Sequence, residues 1–229
     1  MALAMSLSIG TAFALDVSGP VSVDTTWTTS DSPIRVVADV SVENGAVLTV
    51  QPGVTVYMHP GTSLRVNAGA LQARGTSTAP IVITALADDG TGSPVSGSWG
   101  ALQFANGTND SATVLEYVSV RYGQGVVIDA ASPTLNYVTL SNNSGPAISI
   151  DLNASPSGIG LQASGNGLNG IRVPAGEIAV SAGTVMAAID RFSVTINGKG
   201  GHAAVSHLNR DPVLAAIIRE QRPIAPTAD

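Results

Sequence analysis

Apolar and polar residues alternate along this chain in short bursts, and the bursts are separated by glycines. Gly45, Gly53, Gly61 and Gly69 fall eight residues apart, with Val47-Leu48-Thr49-Val50, Val54-Thr55-Val56-Tyr57 and Leu64-Arg65-Val66 between them. Period-two alternation over four or five residues predicts a half-buried strand. At ~3.3 Å per residue, such a segment is only about 15 Å long. The glycines suit corners that need a positive φ. Asn44-Gly45 fits a two-residue hairpin, but the eight-residue beat runs on past it. A polar stretch from Trp27 to Pro33 leads into the first alternating segment, Ile34 to Val37.

A longer period lies over the short one. Leu115-Glu116-Tyr117-Val118-Ser119-Val120 returns twenty residues later as Leu135-Asn136-Tyr137-Val138-Thr139-Leu140, and the echo continues from Val127-Ile128 to Ala147-Ile148. Ala131-Ser132-Pro133 recurs twenty-three residues on as Ala154-Ser155-Pro156. Three short strands per coil of 20 to 24 residues predict a right-handed parallel β-helix, in which equivalent side chains of successive coils align in ladders. A β-sandwich would carry longer strands. By the same spacing Asn143 and Asn166 share a corner, as a structural amide ladder, and Tyr117 stacks on Tyr137. Two polar excursions interrupt the coils, Asp88 to Ser98 and Asn106 to Ser111. Loops projecting from one face of a solenoid are where binding usually resides, although a tolerated insertion is the commoner explanation.

Composition narrows the function classes. Charged residues make up 11% and aromatic residues 4% of the 229, and Lys199 is the only lysine, so the chain offers neither a basic track nor a stacking platform for nucleic acid. The formal charge of −6 comes from scattered acids and reads as ordinary solubility. Cysteine is absent, which removes disulfides, thiolate catalysis and thiolate metal ligands. Met1 to Leu15 is an uncharged apolar run ending Ala12-Phe13-Ala14 before Asp16; it reads as a signal-peptide-like segment without a basic n-region. A secreted or cell-surface location is therefore expected. No other run approaches the ~18 apolar residues of a membrane span.

The run Ile34 to Thr84 with its Val50-Gln51-Pro52-Gly53-Val54-Thr55-Val56 segment, then Trp99-Gly100, Leu115-Glu116-Tyr117-Val118, Ala131-Ser132-Pro133 and Gly165-Asn166-Gly167-Leu168-Asn169-Gly170-Ile171, resembles the right-handed β-helix repeat regions of large exported bacterial proteins. The resemblance covers about residues 20–180. It implies the fold, while the activities found on such regions range from adhesion to polysaccharide lyases and hydrolases.

Past Val180 the character changes. Phe192 to Ile196 reads as a strand and Asp211 to Glu220 as a helix, with Asp211 as N-cap, Pro212 at the first helical position and Pro223 just beyond the end. Met186 to Phe192, Gly198-Lys199-Gly200-Gly201-His202-Ala203-Ala204-Val205-Ser206-His207 and Asp211-Pro212-Val213 resemble part of the lid, or dimerisation, domain of zinc-dependent amidohydrolases and carboxypeptidases. In that family the histidine matching His202 reaches a neighbouring active site and polarises the scissile carbonyl. The family's zinc ligands belong to a separate catalytic domain, His59 stands alone, and Ser206 replaces a usual proline. His202 is thus a catalytic candidate by resemblance only.

Other chemistry is sparse. Asp129 and Asp151, twenty-two residues apart and each after an isoleucine, are metal candidates, with Arg121 and Arg172 nearby in sequence as pieces of a lyase-like site. Equivalent positions would bring the carboxylates ~5 Å apart, close enough to share a cation or raise one pKa. Two solvent-facing residues ending strands are the blander explanation. Glu116 alternates with Leu115 and Tyr117 and is expected on the outer face. The organisation expected is a signal-peptide-like segment at 1–15, a β-helix at 16–181 and a partial β/α tail at 182–229 that caps the coil. The expected role is structural, adhesive or glycan-binding without catalysis, with no cofactor. A polysaccharide-active enzyme or an amidohydrolase remnant is the alternative.

Overall fold

The computed structural model describes residues 14–151, 153–168, 170–172 and 194–196. Through them the chain winds as a right-handed parallel β-helix of about seven turns. The half-coil β1 (Leu15–Val21) is followed by β2 (Thr25–Trp27) and β3 (Ile34–Val42). Three three-strand coils then carry β4 (Val47–Val50), β5 (Thr55–Met58) and β6 (Leu64–Val66); β7 (Ala70–Arg74), β8 (Ile81–Ala85) and β9 (Ala101–Phe104); β10 (Val114–Glu116), β11 (Val118–Arg121) and β12 (Gly125–Ile128). The last coils hold β13 (Thr134–Asn136), β14 (Thr139–Ser141), β15 (Ile148–Ile150), β16 (Leu161–Ser164) and β17 (Ile171–Arg172), and β18 (Val194–Ile196) pairs in parallel with β16.

Three faces result. β2, β4, β7, β10 and β13 form the first, a five-stranded sheet. The second, β5, β8, β11, β14 and β16, and the third, β6, β9, β12, β15 and β17, are joined through β3 into one thirteen-stranded sheet. β3 is nine residues long, more than the short strands expected: no glycine breaks it, and it turns between faces through the exposed Val37, Ala38 and Asp39. Trp27, read as the start of a polar stretch, instead ends β2 and is 2% exposed.

Inward positions form columns, one rung per coil. On the second face, Ile34, Val56, Ile83, Val120, Leu140 and Ala163 pair in register, and all are buried. On the first, Trp27, Val50, Ala73, Leu115 and Leu135 do the same, with small Ala73 among larger neighbours. Each fully buried aliphatic side chain contributes about 1.5–3 kcal/mol of burial free energy, which the ordering of these short strands largely offsets.

The twenty-residue echo holds on the first two faces, where Leu115 pairs with Leu135 and Ser119 with Thr139. On the third it does not: Val127-Ile128 pairs with Ser149-Ile150, not Ala147-Ile148. The corner Asn142 to Ala147 is two residues longer than its counterpart in the preceding coil, and the register moves by that amount. The glycine beat also divides. Gly45, Gly53 and Gly61 have positive φ, whereas Gly69 does not; a Cβ there would stand 2.4 Å from the Ala46 carbonyl oxygen, so close approach demands glycine.

One corner column binds successive coils by side chains. Asn143, fully buried, accepts from the Gly123 N–H (3.0 Å) and donates to the Val120 carbonyl (3.2 Å) and to Asn166 Oδ1 (2.9 Å). Asn166 in turn donates to the Leu140 carbonyl (2.9 Å). One rung earlier the position is Gly123, whose missing side chain leaves room for Trp99: a Cβ would come within 2.5 Å of the indole, which donates to the Arg121 carbonyl (2.9 Å). The anticipated helix 211–220, and the tail apart from β18, lie outside the described residues.

Replacing Asn143 with Ala would strand the Gly123 N–H and Val120 carbonyl in a buried corner. The expected loss is about 1–3 kcal/mol for each group left unpaired, read as a lower urea midpoint with unchanged slope, whereas Ser144→Ala, at an exposed neighbouring position, should stay within about 0.5 kcal/mol of the parent.

Candidate functional site

In the second of the three-strand coils the chain does not turn directly from β8 to β9. It makes a short 3-10 turn, Leu86–Asp88, and an excursion that returns at Ser98. The return is fixed by backbone bonds: the Gly61 N–H donates to the Ser98 carbonyl (3.0 Å), and the Ser98 N–H donates to the Tyr122 carbonyl (3.0 Å).

The departure is fixed by side chains. Thr84 points away from the core, since Ile83 and Ala85 on either side point in, yet it is only 1% exposed. Asp88 covers it. The Thr84 hydroxyl donates to Asp88 Oδ2 (2.7 Å), and Arg121 Nε, from the next coil, reaches the same oxygen (2.7 Å). A carboxylate shared by a hydroxyl and a guanidinium is a charge-assisted clamp, and it holds the loop against the second face. Tyr57 is the rung beside Thr84. Burial, then the charges of Asp89 and Asp88, push its phenol above the ordinary range, so the hydroxyl stays neutral.

Between this loop and the preceding coils lies a cleft of about 430 Å³, within the roughly 300–1,000 Å³ of small-molecule sites. Pro60, Leu86 and Ala87 give it an apolar wall, over Met58 and Ala85 beneath. Its polar margin is Arg35, Asp89, Thr91 and Ser98. Arg35 Nε is paired with Asp16 (2.7 Å) across the first rungs of the same face. Asp89 accepts from both the hydroxyl and the N–H of Thr91 (2.6 and 2.8 Å), which hold its carboxyl below the usual range.

Asp129 and Asp151 occupy a different face. They follow β12 and β15 in register and come within hydrogen-bonding reach, as their spacing predicts. Hydrogen bonding to Asp151, with some burial and the like charge, raises the Asp129 carboxyl. The Ala130 N–H (2.9 Å), foremost, holds Asp151 low, against a smaller effect of burial; Asp129 and the Asn153 N–H (3.1 Å) add to it. Of the two, Asp129 therefore holds a proton more tightly than Asp151. Arg121 does not join them, being committed to Asp88 on the second face, and no ion pair links Arg172 to either acid among the described residues. Among those residues no group of three or more His, Asp or Glu could hold a metal ion.

Tyr117 and Tyr137 stack with ring centroids 4.7 Å apart and planes within 9°. Glu116 lies on the outer face, 3.7 Å from Arg74. His202 lies outside the described residues. The cleft residues Arg35, Pro60 and Leu86 carried no signal as a site, because about fifty residues and two coils separate Arg35 from Leu86. The excursion of Asp88 to Ser98 was the available clue.

Comparison with known proteins divides the chain. A family described as pectate-lyase like beta helix domain matches residues 19–172. Short stretches are similar to curated amidohydrolases: 48% identity over 44 residues with an N-acetylcysteine deacetylase of Bacillus subtilis (strain 168), covering 19% of this chain and 12% of that protein. With an N-acetyldiaminopimelate deacetylase of Leuconostoc mesenteroides identity is 43% over 42 residues, 18% of this chain and 11% of that one. With the IAA-amino acid hydrolase ILR1-like 5 of Arabidopsis thaliana it is 51% over 41 residues, 18% and 9%. The chain thus spans about a tenth of the length of these relatives. No solved structure matches it.

The acid pair gives stability a pH signature. The raised carboxyl of Asp129 contributes stability below its unfolded value that is lost as pH rises through its folded one; the depressed carboxyl of Asp151 contributes stability above its unfolded value that is lost as pH falls through its folded one. The pair is therefore most favourable in a mildly acidic window around the unfolded value of about 3.9. Asp129→Asn should remove the gain on lowering the pH from 7 toward 4, so that its melting temperature, compared with the parent's, is relatively higher at pH 7 than at pH 4; parallel pH profiles would contradict this.

Proposed function

This chain belongs to the pectate-lyase-like β-helix domain family, and on that premise we propose that it is a glycan-binding, non-catalytic segment of an exported or cell-surface protein. The observation that carries the reading is the cleft beneath the 86–98 loop, with its apolar wall and with ionic groups already engaged: Asp88 with Arg121 and Thr84, Arg35 with Asp16, Asp89 with Thr91. A general acid or base needs a lone pair or proton free for the reacting group. Asp88 is fastened by two donors, and Asp89 keeps its second oxygen to accept from a ligand hydroxyl, so these groups orient a ligand by hydrogen bonds and leave its bonds intact.

The enzymatic alternative rests on the Asp129 and Asp151 pair, whose split proton affinities are the pattern of an acid and its partner. Geometry weighs against it. The two acids follow β12 and β15 at equivalent positions of adjacent coils, so stacking alone brings them together, and among the described residues no third acid or histidine joins them in a group that could hold a metal ion.

The test is a glycan array followed by calorimetry with the parent and with Pro60→Trp, which fills the cleft from an exposed turn position. Retained oligosaccharide at micromolar to millimolar Kd, weakened at least about tenfold by the tryptophan and accompanied by no product release, is expected. Calcium-dependent release of unsaturated sugars, or binding indifferent to the tryptophan, would replace this reading with another.

The tail has a place in the same proposal. β18 continues the parallel stack beyond β16, Leu161 pairing with Val194 and Ala163 with Ile196. An open last coil exposes unpaired backbone groups and apolar core, so a strand from the amidohydrolase-like stretch acts as a cap. Deleting residues 183–229 should lower the melting temperature and raise aggregation; a truncated chain that melts and scatters like the parent would refute the cap.

A further inference from the structure

We propose that the saccharide seated in the cleft beneath the 86–98 loop is a neutral one bearing a methyl-carrying substituent, such as a 6-deoxy or N-acetyl group, and not a uronate. The inference rests on the cleft being the glycan site.

Charge is the first ground. Around the cleft and its loop, two arginines, Arg35 and Arg121, face three aspartates, Asp16, Asp88 and Asp89. Arg121 gives its Nε–H to Asp88, whose carboxylate is only 18% exposed, and it does not line the cleft. Arg35 and Asp16 are more open, at 42% and 53%, and an exposed pair of this kind exchanges readily. Releasing Arg35 to a uronate would still leave Asp16 unpaired and Asp89 on the rim. Thr91 donates twice to Asp89 and favours its charged form, so a second carboxylate would be brought against a like charge. A neutral sugar meets the same groups favourably: its hydroxyls donate to Asp89 and accept from Arg35.

The second ground is the wall. Pro60 is exposed and Leu86 and Ala87 are half-buried, and all three face the cleft together. Plain hexose hydroxyls gain nothing from such a surface and lose water on meeting it, whereas a methyl group is removed from water by it. Gly92 lies close against Ala87, where an added Cβ would sit 3.1 Å from the alanine methyl. Gly92 thus packs against the wall, while its neighbour Thr91 belongs to the polar margin of the same cleft.

The experiment titrates the full chain with four oligosaccharide sets of matched length: 6-deoxyhexose, N-acetylhexosamine, unsubstituted glucan and oligogalacturonate, each against the parent, Pro60→Trp and Leu86→Asn. At least one methyl-bearing set should bind about tenfold or more tighter than glucan, with oligogalacturonate weakest, and comparison of the two methyl-bearing sets identifies which substituent is read. Leu86→Asn, with the same branched side-chain skeleton, should reduce the preference over glucan to below about threefold, with its thermal melt verifying the fold. Oligogalacturonate binding as tightly as the methyl-bearing sets, yet lost in Pro60→Trp, would overturn the ligand class and leave the cleft reading standing. A preference unchanged by Leu86→Asn would overturn the role of the wall. No binding by any set, or binding that Pro60→Trp leaves intact, would remove the cleft reading and this inference with it.

Discussion

Everything in this structure depends on the backbone of each coil being hydrogen-bonded to the coils before and after it in a parallel register. Adjacent strands lie ≈ 4.8 Å apart, so each corner or inward position repeats at that interval and its side chain must fit between its own equivalents. The pairing of Ile34, Val56, Ile83, Val120 and Leu140 shows the favourable case, in which aliphatic groups stack at van der Waals distance. Corners are less forgiving. Among the described residues, five of the six non-glycine residues with positive φ, all but Ala130, are Asn or Tyr, and each sits where a strand hands over to another. Asparagine tolerates that conformation with little strain. Tyrosine adopts it with more strain, and Tyr117 and Tyr137 also gain the stacking of their rings.

The same interval decides which side chains can repeat. Two amides can satisfy one another, as Asn143 and Asn166 do. Two phenol rings can lie face to face. A tryptophan cannot share a rung spacing with another bulky group, and Trp99 is accommodated by Gly123. Two carboxylates are the unfavourable case, and Asp129 and Asp151 manage it by dividing their proton affinities, one raised and one lowered. The chemistry of that pair is thus a consequence of stacking, without any requirement for a reaction.

Much of this was legible in the sequence because a repeat makes long-range contacts periodic. The echo from Leu115 to Leu135 predicted a real strand pairing, and the spacing of Asn143 and Asn166 predicted a real hydrogen bond. Legibility ended where the period did. The two extra residues in the corner after β14 moved Val127 and Ile128 onto Ser149 and Ile150, against the expected partners. β1 went unread, and β3 was read only in part, since no glycine marks a corner within it. The clamp on the loop joins Thr84 to Arg121 across 37 residues, a distance set by the excursion and therefore invisible to any search at twenty to twenty-four. Arg35, Pro60 and Leu86 meet only because the excursion folds back over earlier coils.

That break in the period is also why the cleft, and not the acid pair, is the better place to look for a ligand. A residue inside the stack is constrained first by its neighbours above and below, so its chemistry is accounted for by packing before function is considered. The 86–98 loop has no equivalent rung to satisfy. Its composition is free to answer to something else, yet Asp88 is fastened twice and Ser98 is tied to two separate coils. An idle insertion on an exposed corner loses conformational entropy when it is pinned in this way. Pinning it beside an apolar wall and an ionised carboxylate gives a surface that is ordered before any partner arrives, and preorganisation of that kind lowers the cost of binding a flexible saccharide.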